Sequence, residues 1–362
     1  MSEIVSEGYS VYVGSKAFVQ LNSFLSVNDQ YSQYFLLVDE NTLRDCLPFL
    51  LQEVPALKDA EIIEIESGEA HKTIEIVTQV WMAMSDSHAD RKCLFVNLGG
   101  GVIGDMGGFI ASTYKRGVDF LNIPTTLLSQ VDASVGGKLG IDLQGLKNQI
   151  GVFNYPKGVY VFEGFLQSLP FEQLRSGFAE VLKHALIKDL DYWEQVKILD
   201  LKGEIDWKVI IEHSVKIKNQ VVLNDPREKG ERKLLNFGHT IGHAVETFHL
   251  ERPGLQTFLH GEAIAIGMIA EAYLSHIKQG LNESELKEVS RALYSFFPLP
   301  RLAEEYFESF LSLMAHDKKN EGGKINFSLL NNIGNASWDI FCGEAEIIEA
   351  LNYYNEIVED HE

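Results

Sequence analysis

The sequence predicts an N-terminal α/β domain with a mainly parallel sheet, followed by a mainly α-helical domain. Two observations carry this. Before Phe165, short apolar runs alternate with helical patterns, the order that builds a parallel sheet with covering helices. From about Leu169, long helical periodicities dominate and strand signals nearly vanish. A length of 362 residues also suits two domains at roughly 150 residues each. The boundary falls near Tyr155–Phe171, giving domains 1–165 and 166–362.

The strand runs are Tyr34–Val38 (YFLLV), Ala60–Ile65 (AEIIEI) and Cys93–Leu98 (CLFVNL), each ending in a polar or Gly-rich turn, with a helical pattern over Lys72–Met84. Ligands of parallel sheets sit beyond the carboxyl ends of strands, where Asp39–Asn41 and Gly99–Gly101 fall. The helical periodicities cover Gly177–Lys188, Trp207–Leu223, Thr240–Phe248, Gly261–Lys278 and Glu283–Phe297, and one strand signal remains at Lys324–Leu330. The cleft between two such domains is the expected place for a pocket.

Composition narrows the function. With 45% hydrophobic and 23% charged residues, the chain can bury a core. Its 31 Lys and Arg against 52 Asp and Glu give a net charge of -21, which disfavours general nucleic-acid binding. An anionic small substrate stays possible, because a pocket can concentrate basic groups locally. Cys46, Cys93 and Cys342 are too scattered for a disulfide framework or a CxxC metal pair. The opening MSEIVSEGYSVYVG has neither a basic nor an apolar leader region, and no run reaches ~18 apolar residues. The expectation is a cytoplasmic protein without a membrane partner.

Three segments carry chemistry. Gly99-Gly100-Gly101-Val102-Ile103-Gly104-Asp105 follows a strand, and without Cβ atoms its amides can approach a pyrophosphate, although the spacing is not GxGxxG. Asp39 and Asn41 could hydrogen-bond a ribose. Thr125 to Lys138 (TTLLSQVDASVGGK), with Lys147 and Asn148 soon after, gathers hydroxyls, the Asp132 carboxylate and lysines suited to a phosphorylated ligand. In Asn236 to Glu246 (NFGHTIGHAVE), His239 and His243 are i and i+4 on one helix face, but the pattern lacks the Glu of HExxH peptidases. His260 opens another helix and Glu180 lies on a third. Two imidazoles and a carboxylate make a divalent-metal set, and spacing alone leaves open which two His serve. Lys183, Lys218, Arg232, Lys318 and Lys319 add basic groups around these motifs.

Together these stretches resemble the 3-dehydroquinate synthase family of sugar-phosphate cyclases. The matching pieces are SGEAHKT (Ser67–Thr73), GGGVIGDMGGF (Gly99–Phe109), YKRG (Tyr114–Gly117), PTTLLSQVDASVGGK (Pro124–Lys138), GLKNQIGVF (Gly145–Phe153), SGFAEVLKHALI (Ser176–Ile187), LNFGHTIGHAVE (Leu235–Glu246), HGEAIAIGM (His260–Met268) and DKKN (Asp317–Asn320), in the family's order. The resemblance implies a dehydroquinate synthase-like fold: an N-terminal α/β domain with a mainly parallel Rossmann-like sheet and a mainly α-helical C-terminal domain. It also implies NAD, one divalent metal (zinc or cobalt), and a homodimer.

Residue by residue, the resemblance implies Glu180, His239 and His260 as metal ligands, with His243 facing the substrate. The NAD group is Asp39, Asn41, Glu69, Lys72, Gly99, Gly100, Gly101, Val102, Asp105, Thr125 and Thr126, with Lys138 and Lys147 shared, and Phe165, Ser168 and Leu169 flank the nicotinamide. The substrate group is Asp132, Lys138, Lys147, Asn148, Lys183, Lys218, Arg232, Asn236 and Lys318 or Lys319, while Arg116 reaches the phosphate in the neighbouring subunit. Leu139 stands where the family usually has Thr, removing a hydroxyl near the pocket, and the stretch around Arg252–Gln256 is longer than usual and must loop out.

The implied reaction turns the small-molecule sugar phosphate 3-deoxy-D-arabino-heptulosonate 7-phosphate into 3-dehydroquinate and phosphate, a step of aromatic amino-acid biosynthesis. Transient oxidation at C5 acidifies the neighbouring C–H. Phosphate leaves, the hydride returns, the ring opens and an aldol closes the carbocycle. His243 and Asn236, beside His239, are expected to position the phosphate and relay protons. The rivals are another sugar-phosphate cyclase, a metal-dependent polyol dehydrogenase, and a non-catalytic sugar-phosphate sensor.

Overall fold

Seven short strands pair into one sheet in the computed structural model, which describes residues 2–28, 30–143, 146–252, 254–317 and 324–361. They are β1 (Ser2–Val5), β2 (Ser10–Val13), β3 (Tyr34–Asp39), β4 (Glu61–Ile65), β5 (Leu94–Gly99), β6 (Asp119–Pro124) and, after the hairpin of β7 (Lys138–Leu143) and β8 (Leu146–Phe153), β9 (Val159–Val161). The order is β1-β2-β9-β6-β5-β3-β4, and every pairing is parallel except β1 with β2. Alternation along β3 builds a core on each face. Phe35 and Leu37 join Val77, Val80 and Met84 of α4 (Ile74–Asp86) and Ile103, Met106 and Ile110 of α5 (Gly101–Thr113). Leu36 and Val38 join Phe18, Leu21 and Leu25 of α1 (Ala17–Val27), and Leu47 and Leu50 of α3 (Leu47–Glu53), which follows α2 (Glu40–Asp45).

The chain leaves β3 for β4 on one side and comes back to β5 on the other. The carboxyl ends of β3 and β5 therefore flank a reversal of strand order, where open α/β sheets bind ligands. Asp39 and Gly99 end these strands.

The chain divides into two units, Met1–Leu174 with Asp206–Leu223, and Arg175–Ile205 with Asn224–Glu362. Helix α6 (Phe171–Lys188) leads from the first into the second, α7 (Leu190–Val196) follows, and α8 (Trp207–Asn224) belongs almost wholly to the first. The second unit holds α9 (His239–Leu250), α10 (His260–Gln279), α11 (Glu283–Phe296), α12 (Phe307–Asp317), the hairpin of β10 (Ile325–Asn332) and β11 (Asn335–Cys342), and α13 (Glu344–Glu359). No helix among the described residues is long and apolar enough to cross a membrane.

Helix α10 is the centre of this unit, buried along most of its length against α9, α11, α13 and β10. Missing side chains make the contacts close. A Cβ on Gly267 would lie 1.9 Å from the Gly238 carbonyl oxygen, and one on Gly261 1.9 Å from that of Ser176. The Gly261 N–H also donates to Ser176 Oγ at 2.9 Å, tying the start of α10 to α6 one turn before Glu180.

The structure departs from the sequence expectation in two places. The Gly-rich stretch before Lys138 leads straight into the β7–β8 hairpin, in which Leu139 turns into the core against Gly108 while Lys138 stays exposed. The Leu139 difference is thus one of packing. Strands also do not vanish after Leu169, since β11 pairs with β10. Its residues are half-exposed without apolar alternation, so no period marks it.

Gly267→Ala forces a methyl into backbone and should lower stability by about 3 kcal/mol. Gly104→Ala, in α5, where a Cβ meets nothing within 4 Å, should be neutral or stabilising. Thermal unfolding of both variants checks this, and equal shifts would contradict it.

Candidate active site

In the first unit the glycine turn divides into packing and open positions. A Cβ on Gly107 would lie 1.9 Å from Asn97 Oδ1, and one on Gly108 2.4 Å from Leu139, so these two seat α5 on the sheet and hairpin. Gly99, Gly100, Gly101 and Gly104 line a small pocket with Asn97 and Asn122; of these Gly99 is itself a packing position, where a Cβ would fall 2.5 Å from Ile103, while a Cβ on Gly104 meets nothing within 4 Å. The helix begins at Gly101, so its first-turn amides lie at this pocket beside half-buried Val102. Thr125 donates its N–H to the Gly99 carbonyl at 3.0 Å, and the Thr126 hydroxyl donates to Ser129 Oγ at 2.9 Å.

Asp39 has a structural job. It caps α2, accepting the Thr42 N–H at 2.8 Å, with Asn41 in the first turn. Lys72 is buried, and its Nζ donates to Asp105 Oδ2 at 2.8 Å and Asn148 Oδ1 at 2.7 Å, with Glu69 at 3.8 Å. Burial favours the neutral amine, but Asp105 and Glu69 outweigh it and keep Lys72 protonated. Asn148, expected in the substrate group, thus joins residues expected at NAD. Phe165 is buried among Phe18, Phe49 and Phe162, while Ser168 is exposed and Leu169 half-buried at the end of its turn.

Of the substrate group, Asp132 and Lys218 meet, with Lys218 Nζ 2.8 Å from Asp132 Oδ2. Lys138 is exposed and Lys147 half-buried. Arg116 is exposed in a left-handed turn, φ 73°, straight after Lys115 at φ 46°, a conformation non-glycine residues seldom adopt. Lys318 and Lys319 lie outside the described residues.

In the second unit three helices converge on Glu180, which is fully buried on α6. Its Oε1 lies 3.4 Å from His239 Nε2 and 3.7 Å from His260 Nε2, yet accepts no hydrogen bond. Its Oε2 meets Lys183 Nζ, one turn along the same helix. The far sides of both rings are anchored. His239 Nδ1 lies 3.1 Å from the Phe237 carbonyl and His260 Nδ1 3.3 Å from Glu246 Oε2, which turns both Nε2 atoms towards the Glu180 oxygen. The His243 ring is 5.1 Å from that of His239 and 5.8 Å from that of His260, and one ligand atom from each of the three His lies within 4.8 Å of the others.

This arrangement fits a divalent cation. Ligand atoms each about 2.1 Å from a tetrahedral ion are about 3.4 Å apart, and an orphaned buried carboxylate oxygen is the group such an ion satisfies. Burial pushes the Glu180 carboxyl up, but Lys183, His239 and His260 hold it well below the usual carboxylate range. Burial and Lys183 lower His239, leaving its ring neutral and its lone pair available. Burial would also lower His260, but Glu246 and Glu180 override it and push that ring up to about 9.

Before α9, Arg232 is buried and donates to the Pro226 carbonyl at 2.9 Å, while Asn236 Nδ2 donates to Glu228 Oε1 at 2.9 Å. Between α9 and α10, where residue 253 lies outside the described residues, His249 Nδ1 is 2.8 Å from the Gln256 carbonyl and Arg252 lies over the Phe248 ring. Sequence reasoning assigned nothing to Glu246 or to Glu271, whose carboxylate meets the start of α9. The signals were there: Glu246 is i+7 from His239, on the same helix face, and Glu271 is a lone charge inside an apolar helical run.

Lys183→Met removes the cation beside a fully buried carboxylate, so the chelator-treated variant should lose about 3 kcal/mol of unfolding free energy. Added zinc should restore most of it, as denaturant unfolding with and without the metal would show.

Models for the 3-dehydroquinate synthase N-terminal and C-terminal regions match residues 62–176 and 177–320. A 3-dehydroquinate synthase of Parabacteroides distasonis is 40% identical over 340 residues, covering 93% of this chain and 95% of that protein. Among solved structures, the 2-epi-5-epi-valiolone synthase of Streptomyces hygroscopicus subsp. jinggangensis, with NAD+ and Zn2+ bound, is 28% identical with a TM-score of 0.79, covering 98% of this chain and 99% of that one. A 2-deoxy-scyllo-inosose synthase shares the fold at 23% identity and a TM-score of 0.83, covering 98% and 99%. With both halves matched in order, the chain belongs to the 3-dehydroquinate synthase family.

Proposed function

We propose that the protein is an NAD- and metal-dependent lyase that converts 3-deoxy-D-arabino-heptulosonate 7-phosphate into 3-dehydroquinate and phosphate. The observation that carries this is the convergence of His239 and His260 Nε2 on the orphaned Glu180 oxygen in a chain of this family. Glu180, His239 and His260 hold the cation, zinc or cobalt. Residues 1–165 supply the NAD region, and 166–362 supply the metal ligands and most substrate contacts. When bound, NAD offers a reversible hydride sink and the cation a Lewis acid for substrate oxygens.

The chain's own residues orient and protonate. The buried Arg232 guanidinium and Lys183 ammonium meet the substrate's anionic groups, since their charge is already desolvated and a matching anion strengthens both. Lys138, Lys147, Asn148 and the Asp132–Lys218 pair hold further substrate oxygens, as do Lys318 and Lys319. His243 sits one turn from His239 and relays protons with Asn236 near the departing phosphate. That phosphate can take up the neighbouring proton itself, so no strong protein base is needed. The same reading extends to a homodimer, in which exposed Arg116 reaches the neighbouring subunit's phosphate. It places the enzyme in the cytoplasm, in keeping with three buried, unpaired cysteines.

Incubation with the heptulosonate phosphate and substoichiometric NAD tests this through phosphate release. A cyclase restores NAD each cycle, so many phosphates should appear per NAD. A polyol dehydrogenase would instead turn the NAD supplied into NADH, once per NAD and without recycling it, and neither NADH nor phosphate would leave a sensor.

A further inference from the structure

We propose that Glu246 and Glu271 form a reciprocal clamp that fixes the spacing of His239 and His260. They are positioning residues, and the inference rests on the reading that those two rings and Glu180 hold the cation.

The two helices exchange carboxylates. Helix α9 carries His239 at its first position and Glu246 two turns on, while α10 carries His260 at its first position and Glu271 three turns on. Glu246 Oε2 stands 3.3 Å from His260 Nδ1, so α9 orients the imidazole of α10. Glu271 Oε2 accepts the Gly238 N–H at 2.6 Å and its Oε1 accepts the Ile241 N–H at 3.1 Å, so α10 holds the backbone on both sides of His239. Each carboxylate arises on the helix opposite the ring it governs.

The local chemistry explains why Glu271 does this from a distance. A helix usually satisfies its first N–H groups with a Ser, Thr, Asp or Asn at the N-cap. The cap of α9 is Gly238, in a left-handed conformation, where a Cβ would lie 2.4 Å from Met268 Cγ. The tight α9–α10 contact leaves no room for a capping side chain, and the neighbouring helix supplies the carboxylate instead. Glu271 is fully buried, a costly place for a charge, which the first-turn N–H groups and the positive end of the α9 dipole offset. Glu246, accepting from Nδ1, fixes the tautomer in which Nε2 of His260 meets the cation once that ring gives up its second proton, and makes that nitrogen a better donor.

Glu246→Ala and Glu271→Gln test the clamp, with His239→Ala as control. Zinc affinity is read by chelator competition, the cobalt(II)-loaded protein by its visible absorption, and folding by far-UV circular dichroism. Each folded variant should bind zinc at least about tenfold more weakly than the parent, with shifted cobalt bands. A purely structural carboxylate would lower the melting temperature and leave the cobalt bands in place. The clamp is overturned if either folded variant keeps zinc affinity within about twofold and the parent's cobalt spectrum while His239→Ala loses zinc. If His239→Ala binds zinc as the parent does, the cation reading fails instead. Should Glu271→Gln not fold, Glu246→Ala decides by the same criteria.

Discussion

One buried oxygen organises the second unit. Glu180 Oε1 is shut off from water, belongs to a carboxyl held ionised, and accepts no hydrogen bond. Leaving such an acceptor unmet costs about 1–3 kcal/mol, and more when it is charged. Two imidazole nitrogens stand beside it, 3.4 and 3.7 Å away, well spaced to share a cation with it. Lys183 neutralises the other oxygen, so the carboxylate can stay buried and ionised before any ion arrives.

The convergence depends on helices that approach at backbone distance. Gly267 lets α10 rest on the start of α9, and Gly261 lets it rest on α6 at Ser176. Three donors from three helices can then surround one point without long, floppy side chains, a geometry that packing defines more sharply than a loop would. In the first unit, Gly107 and Gly108 bring α5 onto the sheet, while the start of α5 at Gly101 turns its first-turn amides to the small pocket that Gly99, Gly100, Gly101 and Gly104 line.

Much of this was legible in the sequence because strong periodicity and rare residue combinations coincide. The strands at Tyr34, Glu61 and Leu94 begin within a residue of their apolar runs, and His260 opens its helix as expected. The β1–β2 edge hairpin and β9 were not legible, being three or four residues long and defined by their partners. The hairpin of β7 and β8 was masked by glycines that read as a loop, and β11 by its half-exposed polar face. At the site, residue types named the candidates, but only the fold relates Glu246 to His260 and Asn148 to Lys72. Such contacts join residues far apart in sequence, and no local spacing encodes them.

Diffraction from zinc-loaded crystals, with anomalous data collected on both sides of the zinc edge, would locate the ion without reference to activity. The geometry calls for one peak within about 2.0–2.2 Å of Glu180 Oε1, His239 Nε2 and His260 Nε2, with His243 outside the coordination sphere. A peak bound by His243 without Glu180, or no peak among these helices, would contradict it.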